Sequence, residues 1–158
     1  MENVELKAGE FVLKISALWH EQKRREFIYL LALKKEKMGP LRKMLSHGHF
    51  SAMLFQREIQ SLYDYFKCFL NDKDLDDSLA MEELADTSLH RLEEKEHVAG
   101  YLKTMESKIL NSYRGLHRYI ERDSETRKVF DAHLSRISEF YEILSRLEGV
   151  KSTELKVF

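Results

Sequence analysis

Apolar residues recur along most of this chain in alternating steps of four and three, the spacing that lines one face of an α-helix. The longest series runs Leu41, Leu45, Gly48, Ala52, Phe55, Ile59, Leu62, Phe66 and Phe69, with eight of nine positions apolar. It predicts a helix over about 40–70, with Pro40 in a first turn that needs no N–H there and Gly39 marking the turn before it. Upstream, Val12, Ile15, Trp19, Gln22, Glu26, Tyr29 and Leu33 keep the same period and predict a helix over about 6–37, its stripe interrupted by two polar residues. Only Met38 and Gly39 separate the two stretches, so an antiparallel hairpin is expected.

Residues 71–78 read as an acidic linker, with Asp77 or Ser78 as a helix cap. Beyond it, Val98, Leu102, Met105, Ile109, Leu116 and Ile120 form a third stripe. One helix from Leu79 to Arg122 would extend about 66 Å, far longer than its neighbours. A break near Thr87-Ser88 is therefore expected, leaving a short helix over about 79–87 in the crossover and a long one over about 89–122. Asp123-Ser124 starts a last helix over about 125–148, with stripe Phe130, His133, Ile137, Phe140, Leu144 and Leu147, Gly149 as C-cap and a tail at 150–158. A gapless shift of 85 positions sets Glu21 on Glu106, Arg42 on Arg127, Leu45 on Phe130 and Phe55 on Phe140, the trace of a duplicated hairpin. The expected architecture is one all-α domain, an antiparallel four-helix bundle with a short extra helix between its second and third members.

Composition narrows the setting. Hydrophobic residues at 43% and charged residues at 34% give a folded rather than a disordered chain. A net charge of -1 gives no global attraction to nucleic acid or to an anionic membrane, and no apolar run is long enough to span a bilayer. With Cys68 alone there is no internal disulfide, and the first residues lack the pattern of a secretion signal, so a reducing cytoplasm is the expected location. Charge is unevenly spread: residues 1–45 carry a net +4, and residues 71–97 a net -7. Such opposite patches suit contacts between protein molecules, and with Tyr63, Tyr65 and Tyr101 expected beside the stripes they point to a homodimer or another protein partner.

Several short stretches carry a likeness: Glu58-Ile59-Gln60 after Phe55-Gln56-Arg57, Leu89-His90-Arg91, Glu106 with Tyr113, and Arg127 to Leu147. Through them the chain, from about 17 to 147, resembles an uncharacterised family of bacterial ferritin-like bundles, some of whose members are stress-associated. The resemblance implies the bundle fold, not a chemistry.

Ferritin-like di-iron centres take a glutamate from each of two helices and a Glu-x-x-His pair from each of the other two. Here Glu21 or Glu26 and Glu106 stand in the inward region of the first and third long helices, and His133 lies within the fourth stripe. Phe130 stands three residues before His133, and the 85-residue shift pairs Phe130 with Leu45 and His133 with Gly48, so the full set is absent. Glu26, Glu106 and His133, with Glu58 as a fourth, could hold a single divalent metal or iron. A weaker alternative is Glu94 with His97, one helical turn apart in a charged run. His47 and His49, two residues apart, point different ways, and Cys68 among Phe66, Phe69 and Leu70 reads as a buried thiol. No phosphate loop or nucleophile elbow is present. The sequence thus predicts a non-enzymatic ferritin-like bundle without a cofactor, acting through protein contacts, with a metal-binding or redox bundle as the alternative.

Overall fold

The computed structural model of the chain describes residues 8–69 and 88–149. They form four α-helices: α1 (Ala8–Leu33), α2 (Leu41–Phe66), α3 (Lys95–His117) and α4 (Glu125–Gly149). Single 3-10 turns at Lys67–Phe69 and Ser88–Arg91 adjoin α2 and precede α3. The fold is the expected all-α four-helix bundle. The acidic linker at 71–78, the short helix expected at 79–87 and the tail at 150–158 lie outside the described residues.

Side-chain contacts fix the helix directions. Along the first hairpin, Arg42 Nη1 donates to the Leu33 carbonyl at 3.0 Å, Gln56 Nε2 donates to Glu26 Oε1 at 2.7 Å, and the Phe11 and Phe66 rings meet edge to face. Numbers fall on α1 as they rise on α2, so the two are antiparallel. The second hairpin pairs His117 with Asp131 and Lys103 with Glu148 in the same sense. Between hairpins, Glu21 meets Ser112 and Arg25 meets Glu106, so α1 is antiparallel to α3 as well. Glu58 and Phe55 of α2 both meet His133 of α4. It follows that α1 runs with α4 and α2 with α3, and that α2 ends and α3 begins at opposite ends of the bundle.

The stripes read from the sequence supply the core. Ile15, Leu45, Ala52, Ile59, Leu102, Phe130, Ile137 and Leu144 are all fully buried. Such layers of interdigitated aliphatic and aromatic side chains are the main stabilising contribution in a bundle. The helix ends differ from expectation where the backbone is constrained. The first helix stops at Leu33, not near 37, because Lys37 and Gly39 take left-handed φ values of 63° and 56° to reverse the chain, and buried Met38 plugs the turn. The third begins at Lys95, not near 89, because Glu94 is extended (φ -87°, ψ 138°) and buried Leu89 anchors a separate turn before it. Ser124 caps α4 as expected, its Oγ accepting from the Arg127 N–H.

Two side chains are placed differently from the sequence reading. Tyr63 is buried in the core rather than flanking it. Cys68 is exposed, not buried: it falls between the stripe positions Phe66 and Phe69, in the 3-10 turn, with Sγ toward the Asp64 carbonyl. Arg127 Nη1 donates to the Ile120 carbonyl at 2.8 Å, three residues past the end of α3, while Arg42 donates to Leu33, the last residue of α1.

Candidate functional site

Among the described residues six polar side chains are buried in the bundle: Ser16, Gln22, Arg25, Ser51, Glu106 and His133. Five of them form one layer, joined by the hydroxyls of buried Tyr29 and Tyr113. At its centre Arg25 Nε donates to both Glu106 oxygens, at 2.8 and 3.0 Å, and both side chains are fully buried. Tyr29 donates its hydroxyl to Glu106 Oε2 at 2.5 Å. The Arg25 guanidinium carbon lies 5.3–5.6 Å from the ring centres of Phe140, Tyr29 and Phe55, so aromatic faces surround the charge. A buried cation needs such partners, because its desolvation penalty is several kcal/mol, in round numbers, in a real protein interior.

The layer has a direction. Arginine only donates, so Arg25 Nη1 fixes which atom of Gln22 is the acceptor: Oε1, at 3.0 Å. The Gln22 amide nitrogen then donates to the Tyr113 hydroxyl at 3.1 Å. At the far end Glu58 accepts, so His133 Nε2 carries the proton in the 2.7 Å bond between them. Neutral His133 is therefore an acceptor at Nδ1, and Tyr113 donates to it at 2.7 Å. Every link from buried Arg25 through Gln22, Tyr113 and His133 to Glu58 passes a proton donor in the same sense. Glu58 is 45% exposed, so the chain ends at the surface.

Environment shifts these groups consistently with their roles. Burial lowers the His133 pKa below the ordinary imidazole value, against the raising effect of Glu58. Burial raises both tyrosines, and the Glu106 charge adds to the effect at Tyr29. Arg25 stays a cation because Glu106, with Tyr29, outweighs the burial that opposes its charge.

The residues expected to share a metal take separate positions. Glu106 is engaged by Arg25 and Tyr29. Both nitrogens of His133 are taken, by Tyr113 and Glu58, and its ring stacks on Phe55 at 3.7 Å. Glu26 lies to one side, accepting from Gln56 at 2.7 Å with His49 3.8 Å away. Of the four, only Glu58 and His133 are recorded in direct contact among the described residues. Glu94 and His97 meet at 3.5 Å on an exposed surface. Among the described residues no group of three or more histidine, cysteine, aspartate or glutamate side chains is arranged to hold a metal ion.

Arg25 was not singled out from the sequence, nor were Tyr29 and Ser51 as polar partners. The stripe can step from Gln22 by four to Glu26 or by three to Arg25, and both return to Tyr29. The fold takes the second path, burying the last member of Lys23-Arg24-Arg25. Polar Gln22 inside the apolar stripe was the signal that a partner had to be near.

Gly48 shapes the same layer from α2. A Cβ at this position would collide with the Tyr29 ring, so glycine is what allows that ring to lie against the helix and reach Glu106. No helix among the described residues is long and apolar enough to cross a membrane. No family model, curated protein or solved structure matches the chain.

Proposed function

We propose that this chain is a non-catalytic helical bundle that acts through protein contacts, with a second copy of itself as the first partner. The observation that carries the reading is an asymmetry of surface. Among the described residues the exposed large hydrophobic side chains, Leu13, Phe27, Leu30, Phe50, Leu54 and Tyr65, all lie on the α1–α2 hairpin. Exposed apolar residues grouped on one helix face, as Phe27 and Leu30 are three residues apart on α1, mark an interaction surface more often than scattered ones do. The basic first 45 residues and the acidic stretch at 71–97 add complementary charge. Support for the ferritin-like reading is the helix order, two hairpins joined by one crossover between helices that run the same way.

The metal-binding alternative has less behind it, because an arginine cation already neutralises the central glutamate. Light scattering on the eluting chain across a concentration series tests the proposal. A dimer is expected, and Phe27→Asp with Leu30→Asp should return it to monomer without lowering its melting temperature. A monomer at every concentration would refute the homodimer. Elemental analysis of chain from cells supplied with iron, manganese and zinc bears on the alternative. Stoichiometric metal lost in His133→Ala would overturn the reading in favour of a metalloprotein.

A further inference from the structure

The outer side of α2 carries a second row at helical spacing, distinct from its core stripe: His47, Phe50, Leu54 and Arg57. Steps of three, four and three keep these residues on one line along the helix, over about 15 Å. Phe50 is 69% exposed and Leu54 is 54% exposed, so the two apolar members stand in solvent. They line a groove of about 380 Å³ between α2 and α4, with Met53 beside them and Arg136 entering from α4. The row therefore has an apolar centre with the hydrogen-bonding imidazole of His47 at one end and the Arg57 cation at the other, and Arg136 stands opposite. No acidic side chain lines the groove among the described residues. Glu58 is turned to His133, and Glu139 meets Arg136 at 2.9 Å in a pair exposed on both sides.

We infer that this groove receives an amphipathic helix of another protein, one with two apolar residues flanked at each end by carboxylates. Helix-in-groove recognition reads anchors at i, i+3 or i+4 and i+7, the spacing this row presents. The charge pattern selects the occupant. A second copy of α2 offers no carboxylate along this row: Arg57 would face His47 when antiparallel and another Arg57 when parallel. A cation that meets no carboxylate, or meets another cation, disfavours the wrong partner. The inference rests on the protein-contact reading above but uses a different surface from the Phe27–Leu30 face assigned to the homodimer.

The test uses the full chain and a synthetic helical probe of about fourteen residues, enough to cover the row. The probe places two leucines four residues apart, each flanked three residues outward by glutamate. A matched probe carries lysine in place of each glutamate. Binding is read by fluorescence anisotropy of labelled probe at low salt. Rim ion pairs contribute little individually, so the acidic probe should bind about tenfold more tightly than the basic one. Arg57→Glu with Arg136→Glu, both at the surface, should invert that preference, and Leu54→Asp should abolish binding of either probe. Circular dichroism melts establish that each variant is folded. Equal affinity for the two probes, or no binding of either by the folded chain, overturns the inference. A dimer that binds neither probe would sink the groove while leaving the protein-contact reading intact. A monomer that prefers the acidic probe would remove the homodimer and keep the groove.

Discussion

Replacing Arg25 with methionine leaves the Glu106 carboxylate buried with Tyr29 as its one remaining donor. Removing one member of a buried ion pair destabilises by about 3–5 kcal/mol, because the survivor is an uncompensated charge. For a chain of this length each kcal/mol moves the melting temperature by about 2–4 °C, so Arg25→Met should lower it by roughly 6–20 °C. Glu106→Met should cost a similar amount, by stranding a guanidinium among three aromatic rings. The informative variant is the double one. With both charges gone the interior is apolar at this point, and buried pairs exchanged for packed hydrophobic residues are often neutral or better. Recovery will be incomplete, since the Tyr29 hydroxyl and Gln22 Oε1 each lose a partner at about 1–3 kcal/mol for a group left unsatisfied.

Arg25→Met/Glu106→Met is therefore expected to be more stable than either single variant, and adding Tyr29→Phe should stabilise it further. Urea unfolding of the wild type, the two singles and the double closes a thermodynamic cycle. Additive losses in the double variant would refute the reasoning, as would a single-variant loss below about 1 kcal/mol, the value of a hydrated surface pair. One detail already favours partial recovery: Arg25 Nη2 has no hydrogen-bond partner among the described residues, so the wild-type guanidinium is not fully satisfied.

Gly48→Ala should destabilise by about 1–3 kcal/mol through overpacking against the Tyr29 ring, despite the better helix propensity of alanine. The penalty should vanish in a Tyr29→Ala background, which thermal melts can check. His133 gives a pH dependence with a definite sign. Its folded pKa lies below the ordinary value, so the unfolded chain takes up a proton that the fold refuses. Its contribution is fully present above about pH 6.5 and is lost as the pH falls toward the folded pKa, at no more than about 1.4 kcal/mol per pH unit. Urea midpoints on either side of that pH should diverge less in His133→Gln, and an unchanged divergence would refute the assignment. Cys68, being exposed, should react with a thiol reagent in the native chain nearly as fast as in urea, and strong protection would contradict its placement.

The fold was legible because the helices announce themselves through period alone. The α2 stripe from Leu41 to Ile59 is buried member by member, and the α3 and α4 stripes are buried almost throughout. What period cannot reveal is which of two adjacent polar residues turns inward. Glu26 and Arg25 differ by one helix position, and the choice depends on Glu106, eighty-one residues away in sequence. His133 and Glu106 were visible as polar residues in or near apolar stripes, yet their partners come from other helices. Helix ends were missed for a related reason, since Lys37 takes a left-handed conformation that nothing in its side chain favours.

Compared position by position along the 85-residue shift, the polar layer is lopsided. Arg42 and Arg127, 85 residues apart, each donate to a backbone carbonyl, Leu33 at the end of α1 and Ile120 in the turn after α3. Position 48 and its counterpart 133 have diverged: one is glycine with the Tyr29 ring against it, the other histidine bonded to the Tyr113 hydroxyl. Tyr29 and Tyr113, 84 residues apart and so one position out of that register, each meet this position, but the space filled by imidazole beside Tyr113 is filled by the tyrosine ring itself beside Gly48. Tyr29 consequently reaches across to Glu106, while Tyr113 is held by His133 and Gln22. The glutamate left at position 106 needs a cation, and α1 supplies it from Arg25, whose counterpart in the second half is Leu110. One arginine is enough to neutralise the layer, which among the described residues holds a single fully buried charge pair.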